Sequence, residues 1–314
     1  MMSVPDVVVL NNLGGGQSVQ VDKLPLPGET VKGYQWQYNI DAGKGPNSCI
    51  AMARLGVRPA FLGKAGQDAA GDRGESWMKE SGVDVSGLLR TTEVSTGQGV
   101  RVVEKSGRNL IVCGESSSRA LTVDEVCAQL RRFAGARFFV TGFEIREELA
   151  LAGAKLAHEL GMTTLLNFSP IPAKETGPLP FIDYILLNET EGAALMGLAD
   201  WRDLPPLKIA RSIRERFDCG CVLLTLGADG SVGVSAQNSW VVPPVRVHTV
   251  DTSGAGDGFL SAFCANLIWG KTPREACHWA GEYAAHTTAA AGTIPSYPLL
   301  ETYLQTRKAT RPPV

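Results

Sequence analysis

The stretch Asp-Thr-Ser-Gly-Ala-Gly-Asp, residues 251–257, decides how this sequence is interpreted. It lies between the strand-like segment 245–247 and a long apolar run with helical spacing, so we expect a helix to begin near Gly254. The small residues 254–256 would let an anion approach the unpaired N–H groups at the helix start, where the helix dipole also favours negative charge. The stretch therefore predicts an anion site with the carboxylate of Asp257 beside it.

Asp257 has two interpretations. Next to an anion site it is placed as a base, which takes the proton of a hydroxyl group as that group attacks a γ-phosphoryl group. Acidic residues are also common in first helical turns because they stabilise the helix N-terminus. The remaining motifs favour the first interpretation.

A second glycine-rich motif, Asp-Ala-Gly-Lys-Gly-Pro-Asn, spans residues 41–47 and precedes a helix that we expect from Asn47 to Leu55. Two glycines and an Asn at a helix start could place backbone N–H groups and an amide against the hydroxyls of a polyol. Asn47 could equally be an N-cap residue after a turn.

Two further motifs follow apolar strands. Asn188 and Glu191 come after the strand-like segment 182–187 and share one helical face, so they could hold magnesium through water. The same pair also has the spacing of a capping box. The segment 225–230 ends another strand in a glycine-containing turn that could receive the phosphates or ribose of a nucleotide, although such turns are common.

The chain alternates strand and helix patterns over most of its length. Val7–Leu10 is a β-branched apolar run typical of a buried parallel strand. Repeated βα units predict a doubly wound α/β fold, with a mostly parallel sheet flanked by helices. Two regions, roughly 16–40 and 96–113, alternate polar and apolar residues instead, as antiparallel strands with one open face do. We expect one α/β domain over residues 1–314, with these lid strands inserted as a small β-sheet.

Composition restricts the partners and the compartment. A net charge of −2 and an isoelectric point near 6.1 argue against a nucleic-acid partner. Seven scattered cysteines without a CxxC pair indicate a reducing compartment rather than a zinc site. The sequence shows no signal-peptide pattern, and its longest apolar stretch, 259–269, is too short to span a bilayer. We therefore expect a cytoplasmic protein without a membrane partner.

Taken in this order and at this spacing, the four motifs resemble those of the ribokinase-like (PfkB) family of carbohydrate and nucleoside kinases. The resemblance extends over nearly the whole chain. The motif at 251–257 is highly specific for the family, and the motif at 43–47 is fairly specific. Segments 27–30 and 96–97 are similar to the lid strands of the family. The resemblance implies a small β lid over a sugar site, with ATP and Mg²⁺ as cofactors.

The resemblance also implies roles for individual residues. Asp257 would be the catalytic base, and the anion hole would be formed by Gly254, Ala255 and Gly256. The substrate-binding positions would be Asn12, Gln17, Gly43, Lys44, Asn47 and Asp257. The nucleotide-binding positions would be Asn188, Thr225, Gly227, Gly230 and Gly256. Magnesium would be held through water by Asn188 and Glu191. Many members also bind potassium near the anion hole. Its ligands here would be Asp251, Ser253 and Ser296, together with the backbone near Thr287, Ala290 and Gly292.

One departure from the family concerns the acceptor. Ribokinase-like sugar kinases usually carry an Asp shortly after the first strand, and this Asp binds two sugar hydroxyls. Here that place falls at Gly16 or Gln17, and no acid lies between Asp6 and Asp22. The amide of Gln17 or Asn12 could bind hydroxyls instead, with different preferences.

ATP-dependent phosphorylation of a primary hydroxyl of a sugar, as in a ribokinase or fructokinase, is the expected function. The alternatives are a nucleoside kinase of the same fold and a non-catalytic sugar- or nucleotide-binding protein. A nicotinamide-dependent dehydrogenase is not favoured, because the glycines at 14–16 lack the GxGxxG spacing. Exposed lid edges carrying Trp36 and Tyr38 favour a homodimer through the lids.

Overall fold

The computed structural model describes residues 4–106 and 108–309. The strands are β1 (Val7–Leu10), β2 (Gly14–Val21), β3 (Gly33–Asp41), β4 (Pro59–Gly66), β5 (Asp84–Thr91), β6 (Gly97–Glu104), β7 (Asn109–Cys113), β8 (Phe138–Gly142), β9 (Thr163–Asn167), β10 (Tyr184–Asn188), β11 (Cys221–Thr225), β12 (Ser231–Ser235) and β13 (Ser239–Val242). The helices are α1 (Lys44–Arg54), α2 (Ala69–Glu80), α3 (Val123–Arg131), α4 (Glu147–Glu159), α5 (Glu189–Met196), α6 (Pro206–Phe217), α7 (Ala255–Ile268), α8 (Pro273–Thr287) and α9 (Leu300–Ala309). Within these described ranges, no helix combines the length and the apolar character needed to cross a membrane.

Among the described residues, nine strands form the central sheet in the order β13-β12-β11-β10-β9-β8-β1-β4-β5. Strand β12 is antiparallel to both of its neighbours, and the other neighbouring pairs are parallel. All four residues of β1 are buried, as a strand at the centre of a parallel sheet requires. The expected doubly wound α/β fold is confirmed.

Successive residues of β1 point to opposite faces of the sheet, so each face receives half of the strand. Val8 and Leu10 belong to the apolar core that includes residues of α3, α4 and α6. Val7 and Val9 belong to a second core, which includes residues of α1, α7 and α8. Helices therefore cover both faces, and the helices that carry the glycine-rich motifs, α1 and α7, share one face.

A second sheet has the strand order β3-β2-β6-β7. Strand β2 is antiparallel to β3 and parallel to β6, and β6 is antiparallel to β7. Val19 and Val21 are buried, whereas Trp36 and Tyr38 are exposed and stack on each other with ring centroids 5.9 Å apart. The sheet joins the main body where Gly14 N–H donates to the carbonyl of Ala42 at 2.9 Å.

Two local expectations from the sequence are wrong. Residues 245–247 form no strand, because β13 ends at Val242 and the next two residues are prolines, which have no N–H group to continue a ladder. Helix α1 begins at Lys44 rather than at Asn47, after Gly43 turns the chain with φ +86°. Asn47 therefore lies inside the first turns of the helix and is not its N-cap.

Candidate active site

The residues of the sequence motifs meet at the carboxyl-terminal edge of the central sheet. There the strand order reverses, because β1 is followed along the sheet by β4 on one side and by β8 on the other. Such a reversal leaves a crevice outside the strand ends. The small sheet forms one wall of this crevice and encloses a cavity of about 400 Å³.

A second cavity, of about 560 Å³, lies at the opposite edge of the sheet. Its walls come from the amino-terminal ends of β9 to β11 and from the start of α8. The glycine-rich motifs lie outside it. We therefore assign the functional site to the smaller cavity, whose walls include both motifs.

Helix α7 presents its N-terminus to the smaller cavity. Gly254 is the N-cap residue, with φ +76°, and a Cβ atom there would lie 2.4 Å from Cγ2 of Thr293 and 2.8 Å from the hydroxyl oxygen of Tyr297. That Tyr297 hydroxyl donates to the carbonyl of Gly254 at 3.3 Å. A Cβ atom at Gly256 would meet nothing within 4 Å, so the first turn opens on free space. The N–H of Ala255 donates to the carbonyl of Thr252 at 3.3 Å, so the N–H groups of Gly256 and Asp257 are the ones that this turn presents to an anion.

Asp257 is buried in the first turn of α7, with 7% of its surface exposed. Its Oδ2 atom accepts a hydrogen bond from Nδ2 of Asn47 at 3.2 Å. Burial raises the pKa of Asp257 to about 6; Lys44 opposes this rise, and the charge of Asp41 adds to it. The carboxylate is therefore ionised at neutral pH and yet basic enough to take a proton.

Lys44 and Glu144 lie beside Asp257. The backbone N–H of Lys44 donates to Oε2 of Glu144 at 3.2 Å, and the Lys44 ammonium donates to Oγ of Ser169, also at 3.2 Å. Burial raises the pKa of Glu144 to about 7, against the effect of Lys44. Burial alone would lower the pKa of Lys44, but the surrounding carboxylates, Asp257 first among them, raise it above its usual value. Lys44 therefore remains an ammonium ion.

Glu144 is absent from the expectations above. The one signal that could have found it is its position, two residues after the end of β8, because the carboxyl ends of parallel strands meet at one edge. Asp41 begins the motif at 41–47, and the sequence assigns it no role. It too lines the cavity.

Asn47 connects the two glycine-rich motifs. Its side chain is almost fully buried, and its Oδ1 atom accepts from the backbone N–H of Ala42 at 3.2 Å. Its Nδ2 group donates to Oδ1 of Asp41 and to Oδ2 of Asp257, each at 3.2 Å. The amide thus links two carboxylates that are far apart in the sequence.

Asn12, Gln17 and Gly43 also lie on the cavity wall. Oδ1 of Asn12 accepts from the hydroxyl of Ser116, and Oε1 of Gln17 accepts from Nε1 of Trp36 at 3.3 Å. A Cβ atom on Gly43 would lie 3.1 Å from the carbonyl oxygen of Asn12, so the turn before α1 needs glycine for space as well as for its positive φ. The two amides are thus held by neighbouring side chains at the rim of the site.

Asn188 and Glu191 form the capping box that their spacing predicts. Oδ1 of Asn188 accepts from the backbone N–H of Glu191, and Oε2 of Glu191 accepts from the backbone N–H of Asn188, both at 2.8 Å. Asn188 is paired in register with Thr225 of β11, which leads into Gly227 and Gly230 with φ +53° and +93°. The second pair of motifs therefore shares one edge of the sheet.

The loop before α7 is held by an arginine from the small sheet. Arg101 of β6 donates to both carboxylate oxygens of Asp251, at 3.5 and 3.4 Å, and also to the hydroxyl of Ser253. The backbone N–H of Gly292 donates to Asp251 at 3.1 Å. Burial alone would raise the pKa of Asp251, but these hydrogen bonds and that from the Ser253 backbone lower it to about 2.

This arrangement does not fit the potassium site expected from the sequence. Two of the six expected ligands, Asp251 and Ser253, already bind a guanidinium group. The hydroxyl of Ser296 donates to the carbonyl of Thr293 at 2.7 Å, which leaves its oxygen able to accept, so the misfit rests on the guanidinium group of Arg101. A potassium ion could reach the oxygens of Asp251 only by displacing Arg101.

Comparison with known proteins gives a consistent result. The family model described as pfkB family carbohydrate kinase matches residues 18–300. A bifunctional ribokinase/ribose-5-phosphate isomerase A of Fructilactobacillus sanfranciscensis is 31% identical over 301 residues; the alignment covers 95% of this chain and 55% of that relative. The ribokinase of Staphylococcus aureus is 29% identical over 296 residues, which cover 94% of this chain and 97% of the relative.

Solved structures agree with the fold. The ribokinase of Thermotoga maritima superposes with a TM-score of 0.84 at 25% identity, covering 96% of this chain and 99% of the other. The ribokinase of Arabidopsis thaliana complexed with ribose and ATP superposes with a TM-score of 0.83 at 24% identity, covering 96% and 98%. At 24% identity, the similarity to the Arabidopsis thaliana structure is evidence for the fold alone.

The two glycines at the start of α7 allow a paired test of this geometry. Gly254→Ala should lower the free energy of unfolding by about 1–3 kcal/mol, because a residue with a Cβ atom is strained at positive φ and the added methyl would collide with Thr293. Gly256→Ala should unfold at the wild-type denaturant concentration or above it, because its Cβ atom would meet open space and Ala favours a helix more than Gly does. Chemical denaturation measures both, and equal stability of the two variants would contradict the assigned conformation.

Proposed function

The chain belongs to the pfkB family of carbohydrate kinases, and we propose that it transfers the γ-phosphoryl group of ATP to a primary hydroxyl of ribose or a closely related pentose. The observation that carries the proposal is the buried carboxylate of Asp257 beside the open N-terminus of α7. The ribokinases among the relatives support a pentose as the acceptor. The chain corresponds to 55% of the bifunctional relative's length, and the isomerase activity of that protein is not part of the proposal.

Asp257 is the base in this proposal. Its carboxylate accepts the proton of the acceptor hydroxyl as the hydroxyl oxygen attacks the γ-phosphorus atom. The N–H groups at the start of α7 would hold the negative charge that develops on the transferred group. Little else is required of the protein, since positioning and electrostatic stabilisation dominate phosphoryl transfer.

The remaining polar groups of the cavity suit a polyol. Glu144 accepts hydrogen bonds, Lys44 donates them, and the Asn47 amide holds Asp257 in place. Sugar hydroxyls can both donate and accept, so they can satisfy such a mixed set of partners. We therefore assign the space beside these residues to the acceptor.

We assign the nucleotide to the neighbouring strand ends. Thr225, Gly227 and Gly230 extend this edge of the sheet beyond Asn188, and the helix dipole of α7 favours the phosphates at Gly256. Glu191 keeps one carboxylate oxygen outside the capping box, and a carboxylate acting through water suits Mg²⁺. When bound, Mg²⁺ would neutralise charge on the phosphates.

We also propose a homodimer through the small sheets and a cytoplasmic location. The exposed, stacked pair Trp36 and Tyr38 supports the dimer, because exposed aromatic groups on a sheet favour association. All seven cysteines are free, which supports a reducing compartment.

Asp257→Asn tests the base directly. It should lower kcat for ribose by about 10³-fold, since removal of a general base costs roughly 10²–10⁴-fold, while the amide can still accept from Asn47. Release of ADP measures turnover. The matched control is Asp124→Asn, an exposed first-turn acid of α3, which should keep wild-type turnover. Near-normal turnover in Asp257→Asn with a folded protein would refute the proposed role.

The pH dependence follows from the raised pKa of Asp257. The base must be ionised to act, so kcat/KM should fall as the pH is lowered through about 6 and level off about one unit above that value. Glu144, whose pKa is about 7, also changes its charge in this range and adds to the curve. The charged or polar groups that face Asp257 are Lys44, Asp41, Glu144, Asn47 and Tyr297. The pKa of Lys44 is raised, so its ammonium group stays charged throughout. Initial rates between pH 4.5 and 8 at roughly constant ionic strength measure the profile. A rate that is independent of pH down to pH 4.5 would contradict the assignment.

Arg101 leads us to propose that potassium is not required. The guanidinium group supplies the positive charge at Asp251 that an ion would otherwise supply. Turnover of the wild-type enzyme should therefore be equal in potassium chloride and in choline chloride of the same concentration. Arg101→Met should lose turnover in choline chloride and recover part of it in potassium chloride, because the oxygens of Asp251 then become available. Strong activation of the wild-type enzyme by potassium would overturn the proposal.

A further inference from the structure

Gly16 of β2 and Asp41 of β3 lie directly opposite each other in the small sheet. A Cβ atom built on Gly16 would lie only 2.6 Å from Cβ of Asp41 and 3.5 Å from its Cγ. The side chain of Asp41 therefore fills the space that a side chain at position 16 would need. The resemblance to ribokinase-like sugar kinases implies an acid at Gly16 or Gln17, and no acid lies between Asp6 and Asp22.

We propose that Asp41 is the acceptor-binding carboxylate of this enzyme, supplied by β3 in place of an acid on β2, and that it binds hydroxyl groups of the sugar. This inference rests on the proposed function, because it assumes a polyol acceptor in the same cavity. It adds a residue, and a direction of approach, that the sequence motifs alone do not assign.

The hydrogen bonds of Asp41 prepare one oxygen for a ligand. The backbone N–H of Gly43 and the Nδ2 group of Asn47 both donate to Oδ1 of Asp41, at 2.5 and 3.2 Å. These bonds fix the carboxylate in one orientation. In the part of the chain that the structure describes, both bonds end on Oδ1, so Oδ2 can accept from a hydroxyl group in the cavity that Asp41 lines.

The position of Asp41 relative to the base suits a small sugar. The Nδ2 group of Asn47 contacts Asp41 and Asp257 at the same distance, 3.2 Å, so the two carboxylates lie on either side of one amide. A pentose whose primary hydroxyl reaches Asp257 can then place its other hydroxyls at Asp41. The charges also interact, since Asp41 raises the pKa of both Asp257 and Glu144.

A charged acceptor discriminates between sugars more strongly than the amides of Asn12 and Gln17 would. Hydrogen bonds to charged groups are roughly twice as strong as those between neutral groups. Both amide oxygens are also engaged, by Ser116 and Trp36. Asp41 therefore carries more of the acceptor selectivity than the amides that the sequence suggested.

Asp41→Asn separates this role from a structural one. The Asn keeps an Oδ1 atom that can accept from Gly43 and Asn47, so the turn should hold and the melting temperature should stay near that of the wild type. The KM for ribose should rise by about 10–100-fold, the loss expected for a charged hydrogen bond, while the KM for ATP is unchanged. The acid limb of the pH profile should also move to lower pH. An unchanged KM for ribose together with an unchanged profile would overturn the inference.

Moving the carboxylate across the ladder provides the sharper test. Asp41→Gly should impair ribose binding, and the double variant Gly16→Asp/Asp41→Gly should recover part of it, because the new side chain enters the vacated space. The control is Gly15→Asp/Asp41→Gly, which places an acid on the opposite face of β2 and should not recover binding. Gly16→Asp alone should lower the melting temperature, because its Cβ atom would collide with Asp41. Equal KM values in the two double variants would contradict the inference.

Deoxy sugars identify the hydroxyl concerned and separate the two proposals. Asp41→Asn should have the same KM as the wild type for whichever of 2-deoxyribose and 3-deoxyribose lacks the hydroxyl that Asp41 binds.

If the wild-type enzyme phosphorylates ribose and Asp41→Asn has wild-type KM values for all three sugars, only the role of Asp41 fails. If the wild-type enzyme phosphorylates no pentose, or Asp257→Asn keeps its turnover, the proposed function itself fails.

Discussion

The site depends on one ammonium group placed among several carboxylates. Lys44 lies close enough to Asp257, Glu144 and Asp41 for each of them to raise its pKa. Buried carboxylates without a cation become protonated instead of remaining charged, because desolvation disfavours the ionised form. Burial already raises the pKa of Glu144 to about 7, even with Lys44 beside it. Lys44 thus keeps Asp257 ionised near neutral pH while burial keeps it basic, and the proposed role of Asp257 as a base needs both.

The fold satisfies this charge requirement by bringing distant segments to one sheet edge. Lys44 and Glu144 are 100 residues apart in the sequence, and Asn47 and Asp257 are 210 apart. Each lies at or just beyond the carboxyl end of a strand or at the start of a helix that shares the crevice between β1 and β8. The small sheet completes the site, because β3 contributes Asp41 and β6 contributes Arg101.

The sequence predicts the parts of this site that depend on local chemistry. The start of α7 follows from small residues before an apolar helix, and the capping box of Asn188 and Glu191 follows from their spacing. The repeated alternation of strand and helix patterns also predicts the α/β class. The β-branched residues at 245–247 predict a strand, but the two prolines that precede them end the ladder at β13.

Long-range pairing sets the limit of prediction. Glu144 and Arg101 belong to segments without a recognisable motif, and only the folded sheets bring them to the loops they contact. Contacts of this kind have no periodicity in the sequence. The same holds for the direction of Asp41, which depends on a register irregularity between Gly16 and Gln17. A local sequence pattern can identify the anion site at the start of α7, but the groups that complete the cavity come from strands that are distant in sequence.

The facing pair of Gly16 and Asp41 indicates how such a site can change in sequence and keep its chemistry. Two residues opposite each other in an antiparallel ladder project to the same face, so either strand can supply a side chain to one point in space. A glycine at one position makes room for a carboxylate at the other. A side chain on Gly16 would place its Cβ atom only 2.6 Å from Cβ of Asp41, which is too close for both to be present. Asp251 is a second example. There the guanidinium group of Arg101 lies where the resemblance implies a potassium ion. The site therefore needs a given charge at a given place in space. Which strand carries the charged side chain matters less.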